Sequence, residues 1–209
     1  MRISDLSRVS GVPVATIKFY LREGLLEPGR LTARNQARYD ESHLARLRLI
    51  RMLTGIGQLS LSSVHEVVAA VDNKGLSTQG LCRALNRALF TEPPPAAELS
   101  AGGSVSDQVD EFIEGLGWTV EVGSPGRQTL AQVLIAMRRL RRTADVDIFE
   151  PLAKAAEQLA AYETDLAYAR DADDTVDRAT VVAQTVLLEA AFAAMRRMAH
   201  DHHLGTRKP

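Results

Sequence analysis

The feature that most constrains this chain is a pair of short helix-like segments near its start, separated by only three residues. Apolar spacing predicts helices from Ile3 to Ser10 and from Val14 to Glu23, with Gly11-Val12-Pro13 between them. Gly11 can adopt the left-handed conformation that ends a helix, and Pro13 is tolerated where a helix begins. Two helices with so short a connection are typical of a helix-turn-helix.

A basic, turn-rich stretch follows the two helices. Leu25 and Leu26 lead into it, it runs from Pro28 to Tyr39, and a further helix is indicated by Leu44, Leu47, Ile50 and Leu53. The order of helix, turn, helix, basic hairpin and supporting helix predicts a winged helix-turn-helix, which places its second helix in the major groove of DNA.

Local signals divide the first two helices into a buried and an outer side. Ser4 is expected to cap the first helix and Gly24 to end the second. In the second helix Ile17, Tyr20 and Leu21 form the apolar stripe. The outer faces then carry Ala15, Thr16, Lys18, Phe19 and Arg22.

Charge is distributed unevenly along the chain. Residues 1–58 contain ten Lys and Arg against five acids, a net charge of +5, whereas the rest carries −6 within a formal total of −1. A basic segment that coincides with a helix-turn-helix pattern indicates contact with phosphate, and the acidic remainder is expected to lie away from it.

These residues resemble the MerR family of bacterial transcription regulators over about residues 1–71. The similarity lies in the order and spacing of Ile3-Ser4-Asp5-Leu6, Gly11-Val12-Pro13-Val14-Ala15-Thr16-Ile17-Lys18-Phe19-Tyr20, Gly24-Leu25-Leu26-Glu27-Pro28, Arg38-Tyr39, the run Arg46, Leu47, Ile50, Leu53 and Gly57, and Leu59-Ser60-Leu61.

The resemblance implies that Thr16, Lys18 and Tyr20 contact DNA, mostly at phosphates, and that Arg38 is a wing arginine that grips the backbone. Ala15 departs from the basic residue common there, and Asn35-Gln36-Ala37 departs from the usual wing tip. For Tyr20 a place in the core is the alternative. The predicted DNA-binding set is Thr16, Lys18, Tyr20, Arg34, Arg38, Ala15, Phe19 and Arg22.

Beyond this region the chain is expected to be helical and to contain a second domain. Helices are predicted over 61–71 and 77–90, and a Pro-, Ala-, Gly- and Ser-rich linker follows. Further helices are indicated around 109–116, 130–140, 152–166 and 176–200, the last apolar on more than one side. The predicted division is a DNA-binding domain at 1–71, a connecting or dimerisation helix at 72–92, a linker at 93–105 and an all-α effector-binding or dimerisation domain at 106–209. The predicted fold class is mainly α.

Catalytic, cofactor and metal signals are weak. No phosphate loop, dinucleotide fingerprint or paired nucleophile and base is evident. Cys82 is expected to pack as a small apolar residue, and His200-Asp201-His202-His203 to form a solvated tail, although both contain metal-ligand types. We therefore expect no cofactor, no metal site and no enzymatic activity. Trp118, Tyr162 and Phe192 are the candidates for an effector pocket, with ordinary core as the alternative.

The sequence also predicts where the protein acts and which partners it binds. A polar N-terminus, no apolar run expected to span a bilayer, and a single cysteine favour the cytoplasm without a membrane partner. The prediction is a homodimeric transcription regulator that binds a palindromic operator in double-stranded DNA, with a possible small-molecule effector. RNA polymerase is a partner that the resemblance implies. The alternative is a ligand-independent architectural protein or excisionase; a fused enzyme is the least favoured.

Overall fold

A computed structural model of the chain describes residues 1–33, 36–90, 103–140, 144–169 and 177–206. The chain divides into two compact units. The first unit combines Met1–Leu89 with Arg170–Pro209, and the second unit is Phe90–Ala169.

The first unit contains a winged helix-turn-helix, as the sequence predicts. Its helices and strands are α1 (Ile3–Ser10), α2 (Val14–Arg22), β1 (Arg30–Ala33), β2 (Gln36–Arg38), α3 (Glu41–Gly55), α4 (Leu61–Asp72), α5 (Thr78–Leu89) and α9 (Arg178–Thr206). The strands pair antiparallel as a hairpin between α2 and α3. The mainly α fold class is confirmed.

The turn between α1 and α2 is held by its own side chains and by Gly11. Gly11 has a φ of +68°, and its N–H donates to the Ser7 carbonyl at 2.9 Å. The Ser7 hydroxyl donates to the Val12 carbonyl (2.7 Å), and the Val12 N–H donates to the Ser10 hydroxyl (3.2 Å). The predicted left-handed residue at Gly11 is therefore present.

The predicted cap at Ser4 is wrong. The helix α1 begins at Ile3, so that Arg2 is the capping position, and the Arg2 N–H donates to the Asp5 carboxylate at 3.0 Å. An acidic side chain in the first turn can reach back to this free N–H and also interacts favourably with the helix dipole. Ser4 lies inside the first turn, where it is exposed.

One apolar core holds the first unit together. It centres on residues that are completely or almost completely buried, namely Leu6, Ile17, Leu25, Leu26, Leu47, Ile50, Leu53, Val64, Val67, Leu81 and Leu85. The helix α3 contributes at the centre, with Leu47, Ile50 and Leu53 at helical spacing. The second helix of the motif is thus fixed by Ile17 on its inner side and is free to present its outer side.

The last helix, α9, packs with the first unit, whereas the sequence placed it in a domain over 106–209. Val182 and Val186 are buried in the same core as Leu53 and Leu81, and a Cβ added to Gly57 would lie 2.8 Å from a Val186 methyl carbon. Apolar periodicity predicts that this helix is buried but contains no information about which neighbour buries it.

Three hydrogen bonds fix the start of α9. The Arg178 guanidinium donates to the carbonyls of Ala70 (2.8 Å), Val71 (3.0 Å) and Leu76 (2.6 Å). Ala70 and Val71 belong to the last turn of α4, where carbonyls lack helical partners and where positive charge is favourable. Asp177 accepts hydrogen bonds from the Ala179 N–H and the Thr180 hydroxyl, as expected of an N-terminal cap.

By length and composition alone, α9 could cross a membrane. It has 29 residues, its most apolar window has a mean hydropathy of 1.3, and 17% of that window is buried. This corrects the expectation that no apolar run here is long enough. A helix that packs on one side against its own core and on the other against a partner has the same composition.

The second unit is helical in the part of the chain that the structure describes. It comprises α6 (Gly103–Gly115), α7 (Pro125–Leu140), a short 3-10 helix (Val146–Phe149) and α8 (Glu150–Ala169). Its core contains Val105, Val109, Ile113, Ala131, Leu134 and Phe149. Buried Arg127 is bonded to the Asp110 carboxylate (2.5 Å) and the Val120 carbonyl (2.9 Å), so its charge is compensated.

Candidate nucleic-acid interface

The outer side of α2 presents the residues that the sequence predicts there. Ala15 and Lys18 are exposed and Thr16 is half-buried, while Ile17 between them is completely buried. The alternation follows from the 3.6-residue period of a helix whose inner stripe lies in the core of the first unit. Lys18 therefore extends its ammonium group into solvent from a rigid backbone.

An aromatic pair supports the end of this surface. The Phe19 and Tyr20 rings lie 5.9 Å apart, and the Arg22 guanidinium carbon lies 5.6 Å from the centre of the Phe19 ring. A cation over an aromatic face is attracted by the ring quadrupole, so Phe19 holds the exposed Arg22 on the outer side of α2. Tyr20 is only 9% exposed and belongs to the core, which favours the packing alternative for its side chain.

Two arginines face each other across the wing. In the hairpin register Arg30 lies directly opposite Arg38, and both are exposed. Like charges in this cross-strand position repel each other. The register is irregular between Leu31 and Ala33, and Leu31, at 77%, is the most exposed of the large apolar side chains described in this unit.

The N-terminus brings a third arginine to the same place. The Met1 nitrogen donates to the Tyr39 carbonyl (2.6 Å), and the Tyr39 N–H donates to the Met1 carbonyl (2.9 Å). This pairing places Arg2 beside the end of β2. Six residues then line an open hollow of about 590 Å³, which we call the wing depression: Arg2, Arg30, Leu31, Gln36, Ala37 and Arg38.

Gly29 permits the wing to lie close to the body of the unit. A Cβ at this position would lie 2.8 Å from the Arg38 carbonyl oxygen and 2.9 Å from the Tyr39 ring. The backbone before β1 can approach the end of β2 only because this residue has no side chain. The opposed arginines depend on this approach.

A tightly bonded cap connects the wing to α3. The Asp40 carboxylate accepts hydrogen bonds from the Ser42 N–H (3.0 Å), the His43 N–H (3.3 Å) and the Ser42 hydroxyl (2.5 Å), and its Oδ1 lies 2.7 Å from His43 Nδ1. Hydrogen bonds from Ser42 and His43 hold the pKa of Asp40 well below its usual range, because they stabilise the ionised form. The His43 ring is buried edge-on against Tyr39, with 5.1 Å between ring centres.

Not every basic residue near the N-terminus is available to a ligand. Arg46 is paired with Asp72, and Arg51 donates to the Ser10 carbonyl at 3.1 Å. Within the described residues, no carboxylate lies at ion-pair distance from Lys18, Arg22, Arg30 or Arg38. Arg46 and Arg51 on α3 thus make structural contacts, whereas Lys18, Arg22, Arg30 and Arg38 on α2 and the wing face solvent.

Sequence reasoning assigned Lys18, Arg22 and Arg38 to this surface but missed Arg2 and Arg30. Arg30 could have been found from the hairpin, since it begins the strand that pairs with Arg38. Arg2 depends on a backbone pairing across 38 residues, for which the sequence contains no local signal. Arg34 lies outside the described residues, so its predicted contact stays a prediction.

The three candidates for an effector pocket are distributed over the two units. Trp118 packs against the core of the second unit, Tyr162 is exposed on α8, and Phe192 is exposed on α9 in the first unit. An open polar hollow of about 540 Å³ in the second unit is lined by other residues, among them Gln108, Glu111 and Arg138. The prediction for these three aromatic residues stays untested.

Side chains of the types that bind metal ions are dispersed over the part of the chain that the structure describes. No group of three His, Cys, Asp or Glu side chains there could hold a metal ion. Cys82 is half-buried on α5, and burial raises the pKa of its thiol, which keeps it protonated. His200, His202 and His203 are exposed within α9 and so belong to a helix, whereas the sequence suggested a tail.

The fold and this surface define a class of protein. A helix-turn-helix with a basic second helix and an arginine-lined wing is the arrangement of winged DNA-binding proteins. Comparison with known proteins refines the assignment. Residues 1–71 match the family described as MerR HTH family regulatory protein.

Two named relatives agree with this match. The chain is 34% identical over 68 residues to the HTH-type transcriptional regulator ZntR homolog of Haemophilus influenzae, and 34% identical over 79 residues to the HTH-type transcriptional regulator MerD of Acinetobacter calcoaceticus. These matches cover 32% and 37% of this chain and span 50% and 65% of the two relatives.

A similarity over nearly the whole chain exists to a solved structure. The crystal structure of SCO5550 from Streptomyces coelicolor A3(2), described as a transcriptional regulator, matches with a TM-score of 0.65 at 31% sequence identity. The match covers 99% of this chain and 97% of that one. Residues 1–71 are therefore a DNA-binding region of the MerR HTH family.

Proposed function

We propose that this protein is a DNA-binding transcription regulator that binds a two-fold symmetric operator as a homodimer. The observation that carries the proposal is the wing depression, where Arg30 and Arg38 oppose each other beside Arg2. This arrangement costs stability in the free protein and becomes favourable when a phosphate lies between the guanidinium groups.

The geometry of the first unit supports the same conclusion. A recognition helix reads base edges only when other contacts fix its position on the duplex. Here the wing arginines supply sequence-independent contacts, and Thr16, Lys18 and Arg22 on α2 supply the surface that faces the groove. The relatives reported above are named as transcriptional regulators, which supports a regulatory role rather than an enzymatic one.

The proposal includes the cytoplasm as the place of action, because a regulator of this kind works where the chromosome is. RNA polymerase is the protein partner that family membership implies. The proposal also includes a small-molecule effector that binds the second unit, an expectation that comes from the sequence. Its direct test is a shift in the melting temperature of the second unit when a candidate effector is added.

The wing is tested by removing one of the two opposed charges while keeping the length of the side chain. Arg30→Gln should weaken binding to specific and random duplexes alike and should lower the slope of log K against log salt by about one. Because the repulsion from Arg38 is relieved, the free energy of unfolding should stay the same or rise by up to about 1 kcal/mol.

Arg139→Gln is the matched control, because Arg139 is an exposed arginine of the second unit. It should leave both the DNA affinity and the salt slope unchanged. If Arg30→Gln destabilised the protein and left DNA binding intact, Arg30 would be a structural residue and the wing depression would lose its proposed role.

A further inference from the structure

Three side chains of α2 point farthest from the core of the first unit. At about 100° per residue, Ala15 and Phe19 each lie about 160° around the helix from the completely buried Ile17. Arg22 lies about 140° around the helix from Ile17. We call Ala15, Phe19 and Arg22 the outer line of α2, because they form the part of this helix that a ligand approaching from outside meets first.

The first half of the outer line is apolar. Ala15 is exposed and presents only a methyl group, and Phe19, one turn further along, presents a half-buried ring. Positive charge on the outer line begins at Arg22, whose guanidinium carbon lies 5.6 Å from the centre of that ring. The side chains of Thr16 and Lys18, which can form hydrogen bonds, lie about 60° to either side of the outer line.

The first turn of α2 is also the end of the helix that is best suited to approach a duplex. In helix-turn-helix proteins the N-terminal residues of the second helix contact base edges. Within the described residues, the capping residue Pro13 makes no side-chain hydrogen bond, and the first turn contains no acidic side chain. A phosphate oxygen can therefore take the place of the missing cap, which brings Ala15 close to the groove.

The apolar groups of the outer line match one feature of the major groove. An A·T pair exposes the 5-methyl group of thymine there, and apolar side chains such as those of Ala and Phe contact it. A G·C pair exposes hydrogen-bond donors and acceptors instead, with which the side chains of Ala15 and Phe19 cannot pair. The thymine methyl group is therefore the feature of a base edge that these two side chains complement.

We propose that Ala15 and Phe19 bind the 5-methyl group of a thymine in the major groove, and that this contact determines which base pair the protein accepts at that position. The proposal rests on the proposed function and deepens it, because it names a chemical group of the operator. Ala15 stands where a basic residue is common in the MerR family, so the contact belongs to this chain in particular.

The first experiment uses the full chain and a duplex selected from a random library, in which one thymine at a time is replaced by deoxyuridine. Deoxyuridine lacks the methyl group and keeps every hydrogen-bonding group of thymine. At the contacted thymine the affinity should fall about fourfold, the factor that corresponds to the burial of one methyl group. The salt dependence of binding should stay the same, because a methyl group carries no charge.

The second experiment tests whether Ala15 makes the contact. Ala15→Gly removes the methyl group of the protein, so the variant should distinguish thymine from deoxyuridine less well than the wild type. Because glycine also weakens a helix, Ala15→Ser is a second variant, whose hydroxyl group against the thymine methyl should likewise reduce the discrimination. Ala155→Gly is the matched control, because Ala155 is exposed on α8, and it should keep the full fourfold difference.

Three outcomes would overturn the proposal. If every deoxyuridine duplex bound as tightly as the parent duplex, Ala15 would only leave room for the DNA. If both Ala15 variants kept the full discrimination, another residue would contact the methyl group. If the wild type did not bind the parent duplex, the proposed function would itself be contradicted, and this failure is distinguishable because it precedes any change of a base or a residue.

Discussion

At the scale of single residues, the basic side chains near the N-terminus differ in whether they already have a partner within the protein. Arg46 on α3 pairs with Asp72 at the end of α4, and Arg51 on α3 donates to the Ser10 carbonyl at the end of α1. Lys18, Arg22, Arg30 and Arg38 face solvent, with Arg22 oriented by the Phe19 ring. The distinction between structural and available arginines requires the structure, because both kinds follow one another along the same basic stretch.

Lys18 and Arg38 provide the most direct residue-scale prediction. Lys18→Ala and Arg38→Ala should each weaken binding to specific and to random DNA, and each should lower the salt slope by about one, because a phosphate contact releases about one counterion. Titrations at several salt concentrations measure this, with Arg139→Ala as the control. If a variant lost affinity for only one DNA sequence, the replaced residue would be reading bases rather than contacting a phosphate.

At the scale of elements, the positions of most helices could be predicted, whereas their caps and neighbours could not. Apolar periodicity located α2, α4 and α5 to within a residue or two. The helix α1 spans Ile3–Ser10 as predicted, but its cap was missed, because Asp5 rather than Ser4 accepts a hydrogen bond from the free N–H of Arg2. Capping depends on which side chain reaches the backbone, and several residue types can do so.

The cap of α3 makes a prediction about acid. Because hydrogen bonds lower the pKa of Asp40 in the folded state, the stability it contributes is present above its ordinary value of 3.8 and is lost as the pH falls through the lower, folded value. Asp40→Asn keeps an oxygen that can accept hydrogen bonds at the cap but removes the carboxyl group that titrates. In urea unfolding, the difference between wild type and variant should therefore shrink as the pH is lowered from 5 to 2.

A difference that stayed constant over this range would show that the Asp40 cap does not depend on its charge. The same measurement on Asp107→Asn controls for general effects of losing a carboxylate. Asp107 is exposed on α6 and has no ion pair within the described residues.

The clasp between α9 and α4 makes a second element-scale prediction. Arg178→Ala leaves three carbonyls without their donor, and a hydrogen bond from a charged group contributes about 1.5–3 kcal/mol. We expect Arg178→Ala to lower the free energy of unfolding by about that amount, with Arg178→Lys recovering only part of it because an ammonium cannot reproduce the planar fork. Arg197→Ala, on the exposed part of α9, should cost less than about 0.5 kcal/mol.

At the scale of the whole molecule, the sequence predicted the N-terminal fold and the composition of the remainder, but not their association. The winged helix-turn-helix was predictable because its turns, apolar stripes and basic hairpin are all local signals. The place of α9 was not, since Val182 and Val186 pack on residues more than 90 positions earlier, including Gly57 and Leu81. Likewise, Arg2 reaches the wing depression through a pairing between Met1 and Tyr39.

This arrangement changes how the predicted dimer can be dissected. A chain truncated near residue 91 would separate the winged helix-turn-helix from the rest of the protein. Since α9 contributes Val182 and Val186 to the core of the first unit, such a truncation would also open that core. Point variants on the exposed face of α9 avoid this problem, because they leave the core side chains in place.

We propose that the first unit binds DNA through α2 and the wing depression, with two copies on one symmetric site. A hydroxyl-radical footprint on a duplex selected from a random library tests it most directly. We predict two protected patches related by two-fold symmetry, centred one helical turn or a small multiple of a turn apart, at a stoichiometry of two chains per duplex. With Arg30→Gln/Arg38→Gln both patches should disappear at the same protein concentration. A single unsymmetric patch, or an unchanged footprint in that double variant, would contradict the account.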